Sequence, residues 1–130
     1  MVRAPLELPE AFAAMTRAHM GALLVRTDPQ IMEPHRDQVV ALAREHRLPA
    51  IYPWQLYSEA GGLMSYGASL FDLHRRSAAY VDKILKGATP GELPIEQPVQ
   101  FRFVINGRVA RDLGLTLPQS LLARADEVTE

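Results

Sequence analysis

Short apolar runs alternate with amphipathic stretches along most of this chain. The apolar runs are ALLV at 22–25, LPAIY at 48–52 and LMSY at 63–66. Each has the length of a buried strand, and apolar residues at helical spacing occupy the stretches between them. Strands that alternate with helices are typical of βαβ units. The pattern therefore predicts an α/β fold of three layers, in which a mostly parallel sheet is flanked by helices.

The clearest helix prediction covers residues 69–86. Ser69 and Asp72 have the spacing of a capping box, and Gly87 offers a left-handed stop after the last turn. The apolar stripe of this helix consists of Leu70, Leu73, Val81 and Ile84, with Ser77 on the same line. A stripe of this kind predicts a helix that packs one face against another element.

Two earlier helices and a C-terminal region complete the predicted order. The first helix follows Pro9 and is predicted to end at Gly21, and the second runs from about Glu33 to His46. Residues 88–98 hold three prolines and a glycine, which favour an extended connection. FRFVIN at 101–106 alternates, so Phe101, Phe103 and Ile105 are predicted to face the core of a half-buried strand. Two short helices follow that strand.

Composition limits the classes of function. The chain has 130 residues, of which 48% are hydrophobic, as expected of one domain with a real core. Fourteen Lys and Arg against fifteen Asp and Glu give a net charge of -1, which argues against a nucleic-acid partner. No apolar run approaches the ~18 residues of a membrane span. The first ten residues lack the basic and apolar regions of a secretory signal.

No pattern in the sequence predicts catalysis, a metal site or a cofactor. The absence of cysteine excludes disulfides, thiolate catalysis and cysteine-bound zinc. No pair of the four histidines has the i, i+4 spacing of a helical zinc site. No nucleophile has a base at useful spacing. The chain is therefore predicted not to be an enzyme, with neither metal nor cofactor.

Polar and aromatic residues follow the predicted strands, and these are the candidate ligand contacts. Thr27 and Asp28 come after the first strand, Tyr52 ends the second, and Ser65 and Tyr66 end the third. Ligands of open α/β sheets sit beyond the carboxyl ends of the strands. Consecutive strands are usually neighbours, so these side chains are predicted to lie along one edge of the sheet.

Each candidate residue can also be explained by its structural role, without a ligand. Asp28 precedes a proline, which is ordinary turn chemistry. Tyr66 could pack at a boundary between lobes, and Tyr52 with Trp54 could be buried packing instead of a stacking wall. The glycines of EAGGLMSYG at 59–67 point to a close backbone approach in either case.

Three long stretches resemble a known family. They are EAGGLMSYG at 59–67, RRSAAYVDKILKGATPGELPIEQP at 75–98 and FRFVINGRVARDLGLTLPQSLLARADEVTE at 101–130. Together they resemble the C-terminal part of bacterial ABC transporter substrate-binding proteins with the type I periplasmic binding protein fold. The preceding order of strand, TDP turn, helix and strand is similar too. The relatives include binding proteins for aromatic amino acids.

The resemblance implies a binding function. Members have two α/β lobes joined by a hinge, with the ligand between them. It implies that residues 1–66 are part of the C-terminal lobe, and that residues 67–130 form the hinge and lobe-return region of one compact domain. The implied function is to bind a small polar or amino-acid-like ligand, without catalysis, as a fragment or truncated form of an importer component. The alternative is a stand-alone α/β interaction or regulatory domain.

Partners and location follow from the same resemblance. It implies a small-molecule ligand and an ABC permease as partners, in the periplasm. If Met1 is the true start, the absent signal predicts the cytoplasm instead. The helix at 69–86 would pack on a lobe that this sequence does not contain, so its apolar stripe is predicted to be exposed and to support a homodimer.

Overall fold

The computed structural model describes residues 5–26 and 33–130. Within them, five strands form one sheet in the order β1-β2-β3-β4-β5. The strands are β1 (Leu23–Leu24), β2 (Ala50–Tyr52), β3 (Met64–Ala68), β4 (Phe101–Asn106) and β5 (Glu127–Thr129). The β1–β2, β2–β3 and β4–β5 pairs are parallel, and the β3–β4 pair is antiparallel. The prediction of a mostly parallel α/β sheet is confirmed.

Helices separate the strands along the described chain. They are α1 (Leu8–Arg17), α2 (Arg36–Glu45), α3 (Gln55–Glu59), α4 (Leu70–Leu85), α5 (Gly107–Asp112) and α6 (Gln119–Leu122). Short 3-10 turns cover Pro5–Glu7 and Pro90–Glu92. The extended connection predicted at 88–98 is otherwise confirmed. No helix in these described parts of the chain combines the length and the apolar character needed to cross a membrane.

The main core lies between α1, α2, α3 and the first two strands. Its buried members are Leu8, Phe12, Val25, Val39, Val40, Leu42, Ala43, Leu48, Ala50, Tyr52 and Tyr57. A smaller cluster is formed by Leu63 with Val109 and Ala110 of α5. Burial of such side chains, at about 1.5–3 kcal/mol each, is what holds the helices on the sheet.

The predicted end of α1 is wrong by several residues. The helix ends at Arg17, before Gly21, and His19, with φ 52°, makes a left-handed turn after it. The backbone N–H of His19 bonds the Thr16 carbonyl, and that of Met20 bonds the Met15 carbonyl. Histidine is among the non-glycine residues that visit this region more often than most. The second helix also starts later than predicted, at Arg36, after a turn at 33–35.

The ends of α4 follow the prediction. The Ser69 hydroxyl accepts a hydrogen bond from the backbone N–H of Asp72 at 3.2 Å, which caps the first turn. Gly87 has a φ of 99°, as a left-handed stop requires. The stripe is exposed in its second half, since Val81 is 54% and Ile84 40% exposed.

The alternation of buried and exposed residues predicted for β4 is only partly observed. Val104 and Ile105 are both buried, whereas Phe101 is 50% exposed. Adjacent residues of a strand point to opposite faces, so the burial of both shows that this half of β4 is covered on both faces. β5 itself was not predicted. β3 extends two residues beyond Tyr66, so the predicted segment boundary at 66/67 falls inside this strand; the assignment of the segments to lobes stays a prediction.

Candidate functional site

Strands β1, β2 and β3 end at one edge of the sheet, called here the carboxyl edge. The Val25 N–H bonds the Ile51 carbonyl at 3.0 Å, and Tyr52 lies opposite Ser65 in the register. Tyr52, Ser65 and Tyr66 are therefore neighbours at this edge. Thr27 and Asp28 lie outside the described residues, beyond Val25 and Arg26, which lead away from the end of β1.

Two glycines allow neighbouring segments of the chain to approach each other closely at the carboxyl edge. A Cβ on Gly67 would lie 1.8 Å from the Pro53 carbonyl oxygen, and one on Gly62 would lie 2.6 Å from the Tyr52 ring. Neither position has room for a side chain. The glycines therefore hold β3 and the end of α3 close to β2, as the motif suggested.

Tyr52 lies in the core beneath the carboxyl edge. It is 2% exposed, and its ring stacks on Tyr57 with the centroids 4.9 Å apart and the planes at 12°. Burial, and then the neighbouring Tyr57, raise the pKa of the Tyr52 hydroxyl, so the phenol stays protonated at alkaline pH values at which an exposed tyrosine ionises. A ligand contact at Tyr52 stays a prediction, and it requires the ring to become accessible.

Ser65 is buried as well, because β3 continues past it. Only 1% of Ser65 is exposed, and its hydroxyl oxygen accepts a hydrogen bond from the Ser58 hydroxyl of α3 at 2.9 Å. This bond joins α3 to the sheet and orients the Ser65 side chain toward α3. The predicted ligand contact at Ser65 stays a prediction.

Tyr66 presents its ring to solvent. It is 56% exposed and lies on the face of β3 opposite to Ser65. Its ring stacks on Phe101, with centroids 5.8 Å apart, and meets the edge of Phe103 at 6.2 Å and 81°. Tyr66, Phe101 and Phe103 are called here the aromatic cluster. Phe101 and Phe103 hold the exposed Tyr66 ring in place from two sides.

Sequence reasoning missed the two phenylalanines of the aromatic cluster. It assigned Phe101 and Phe103 to the core because they alternate along the strand with Arg102, Val104 and Asn106. Their shared face was predicted correctly, but Phe101 stays half exposed on that face. Only the pairing of β4 with β3 brings the two phenylalanines next to Tyr66, and no local sequence pattern predicts that pairing.

A charged pocket lies on the other face of the sheet at the same edge. It has a volume of about 260 Å³ and includes Gln55, Glu59, Gly67, Ser69 and Arg102 in its lining. Arg102 lies opposite Gly67 in the register and pairs with Glu127 at 3.0 Å. The pocket lining therefore includes the carboxylate of Glu59 and the guanidinium of Arg102.

The carboxyl edge also has a smaller depression. Trp54 lines a second, smaller depression of about 130 Å³ next to Leu56 and Leu70. Among residues 5–26 and 33–130, no group of three His, Asp or Glu side chains is placed to hold a metal ion. The exposed aromatic ring suits a ligand with a flat apolar part, and the charged pocket on the opposite face suits ionised groups.

Several solved structures have a similar fold. A conserved domain protein from Vibrio cholerae O1 biovar El Tor strain N16961 is 25% identical with a TM-score of 0.87, over 97% of this chain and 42% of that chain. An ABC domain from Streptococcus pneumonia, in complex with L-Trp, is 28% identical with a TM-score of 0.85, over 98% of this chain and 43% of that chain.

A third structure shows the fold alone. It is a ligand-free, open substrate-binding protein with adhesive properties from Clostridium difficile, with 18% identity and a TM-score of 0.62. It is matched over 98% of this chain and 42% of that chain. This chain thus spans less than half the length of the three structures.

Sequence comparison gives the family. A comparison with curated proteins found no match. The family model described as ABC transporter substrate binding protein matches residues 1–129, nearly the whole sequence. The chain therefore belongs to the ABC transporter substrate-binding protein family.

Proposed function

We propose that this chain forms one wall of the solute-binding cleft of an ABC-type importer, and that an amino-acid-like ligand with a flat side chain packs on Tyr66. The observation that carries the proposal is the exposed Tyr66 ring at the carboxyl edge, held by Phe101 and Phe103. The ligand is bound and released unchanged, and an ABC permease receives it. The family points to a periplasmic or extracellular location.

The aromatic cluster supplies a preorganised surface. An aromatic pair contributes about 0.5–1.5 kcal/mol beyond the area that it buries. Tyr66 is already stacked on Phe101, so little side-chain entropy is lost when a ligand ring covers it. The L-Trp in the Streptococcus pneumonia relative supports a ligand of this class.

The charged pocket lies on the opposite face of the sheet from Tyr66 and supplies a separate set of polar groups. Arg102 could hold a ligand carboxylate through a charge-assisted bond, and Glu59 could hold an ammonium group. Thr27 and Asp28 are proposed as further contacts, because they follow β1 at the same edge. Asp28 would act on the ammonium group as well.

A single wall binds weakly. Good pockets bury about 70–90% of a small ligand, and one wall covers only part of it. We expect a dissociation constant of about 1 mM or weaker for the chain alone, equal to roughly -4 kcal/mol of binding free energy. A micromolar constant for the monomer would contradict the one-wall description.

Nuclear magnetic resonance titration with L-Trp, L-Phe and L-Leu tests the proposal. We expect shift changes at residues 66–69 and 101–103, lost in Tyr66→Ala and retained in Tyr66→Phe. Tyr80→Ala is the matched control, because Tyr80 lies on α4 beside Pro94, away from the carboxyl edge. Shifts that survive Tyr66→Ala, or that map away from the edge, would contradict the proposed wall.

A further inference from the structure

The smaller depression at the carboxyl edge, of about 130 Å³, combines apolar and charged side chains. Its lining consists of Trp54, Leu56, Tyr57 and Leu70 with Glu33 and Arg36, and it is called here the Trp54 depression. Trp54 follows Pro53 just beyond the end of β2. Glu33 and Arg36 lie in the turn that leads into α2. Ligands of open α/β sheets lie beyond this edge, so further chain packed over it would close the depression around a ligand.

The apolar part of the Trp54 depression is held in place by the core. Tyr57 is 1% exposed, and its backbone N–H bonds the Trp54 carbonyl at 3.0 Å. The partly buried Trp54 side chain packs against the main core. Its ring therefore has a defined position before a ligand binds, and little side-chain entropy is lost on binding.

The volume of the depression limits the size of an apolar group that can enter it. An apolar cavity of about 150 Å³, lined by Leu, Ile and Phe, holds one benzene molecule. A depression of about 130 Å³ therefore suits one six-membered ring or a branched aliphatic group better than the two fused rings of an indole. Tyr66 sets no such limit, because its ring is an exposed surface on the other face of the sheet.

Two opposite charges accompany the apolar part. The backbone N–H of Arg36 bonds the Glu33 carbonyl at 3.3 Å, so the guanidinium and the carboxylate extend from one turn. The Arg36 side chain is 34% exposed, and its Nε donates to Asp37 at 3.2 Å. That bond uses one of the five donors of a guanidinium, so the others can bind a ligand carboxylate. One cation and one anion beside an apolar depression suit a zwitterion with an apolar side chain.

We propose that the Trp54 depression is a specificity subsite for amino acids with a branched aliphatic or single-ring side chain. Arg36 binds the ligand carboxylate, Glu33 binds its ammonium group, and the ligand side chain packs on Trp54 and Leu56. The inference rests on the proposed function, since it takes the ligand to be amino-acid-like, but it uses no residue of the aromatic cluster. The edge then has two apolar positions, of which Tyr66 accepts large rings and the Trp54 depression selects smaller groups.

The test uses the one tryptophan of the chain. Its indole N–H gives a single nuclear magnetic resonance signal in the isotope-labelled chain, and this signal is followed during titration with L-Leu, L-Phe, L-Trp and glycine. We expect L-Leu and L-Phe to shift the signal with dissociation constants at least about tenfold lower than that of L-Trp, because the indole does not fit. Glycine has no side chain to enter the depression and is expected to leave the signal unchanged.

Two variants test the roles of charge and size. Arg36→Gln is expected to raise the dissociation constant of L-Leu at least about tenfold, because the charge-assisted bonds are lost. Arg44→Gln is the matched control on the same helix, since Arg44 pairs with Asp112 at 3.7 Å outside the depression, and it is expected to change the constant by less than about twofold. Leu56→Ala, at a position that is 43% exposed, enlarges the depression and is expected to reduce the preference for L-Leu over L-Trp.

The readouts separate this inference from the proposed Tyr66 wall. An indole signal that responds to none of the amino acids overturns the subsite, and the wall still stands if residues 66–69 and 101–103 respond. An indole shift that persists in Tyr66→Ala, while those residues do not respond in the unsubstituted chain, supports the subsite and removes the wall. Equal constants for L-Leu and L-Trp, or equal effects of Arg36→Gln and Arg44→Gln, would also overturn the subsite. Circular dichroism confirms that each variant keeps its helix content.

Discussion

Gly67 of β3 and the carbonyl of Pro53 are in such close contact that a Cβ on Gly67 would lie 1.8 Å from the carbonyl oxygen. This contact joins the third strand to the segment between β2 and α3, directly beside Tyr66. The position of the candidate binding surface therefore depends on a residue without a side chain. It also gives the most direct test of the geometry at the carboxyl edge.

Gly67→Ala is expected to destabilise the fold. The added methyl group meets backbone, which cannot rotate away, and overpacking of this kind costs about 1–3 kcal/mol or more. Urea unfolding followed by circular dichroism measures the loss. Gly91→Ala is the control, because nothing lies within 4 Å of a Cβ at Gly91 and the methyl enters open space. Equal stability of the two variants would contradict the close approach.

The Ser58–Ser65 bond gives a second prediction. Ser65→Ala removes the buried acceptor of the Ser58 hydroxyl and is expected to cost about 1–3 kcal/mol of unfolding free energy. The double variant with Ser58→Ala is expected to cost less than the sum of the two single variants, because the pair is lost only once. Ser120→Ala, at an exposed position, serves as the control. Strict additivity would show that the two hydroxyls do not interact.

The third prediction concerns alkaline pH. Burial raises the pKa of Tyr52 above that of a tyrosine in the unfolded chain, which is about 10. Above pH ~10 the unfolded chain loses this proton while the folded chain keeps it, so the free energy of unfolding falls as the pH rises. The slope for one group approaches about 1.4 kcal/mol per pH unit.

Chemical unfolding between about pH 8 and pH 11 measures this slope. Tyr52→Phe has no hydroxyl to titrate, so its unfolding free energy is expected to fall less over the same interval. An identical fall in both proteins would assign the alkaline effect to other groups. Below pH ~10 the two profiles are expected to run parallel, since Tyr52 is protonated in both the folded and the unfolded chain there.

Local signals predicted the elements whose ends depend on nearby residues. The cap at Ser69 and the stop at Gly87 fixed α4, because both act within one helical turn. The same local logic failed at α1, where His19 adopts a left-handed φ of 52° and ends the helix before Gly21. A glycine marks a position where a helix can end at little cost, but the helix can still end at an earlier residue.

By itself, the sequence determined the alternation of helices and strands and the mostly parallel sheet. These properties follow from periodicity and from the chemistry of turns, which act over a few residues. The tertiary structure alone decided which candidates face outward. Ser65 and Tyr66 are neighbours in the chain, yet 1% of the first and 56% of the second is exposed. The difference arises because α3 covers one face of β3, whereas the other face carries Phe101, from 35 residues further along. Burial depends on which distant segments pack on each face, and local patterns do not contain that information.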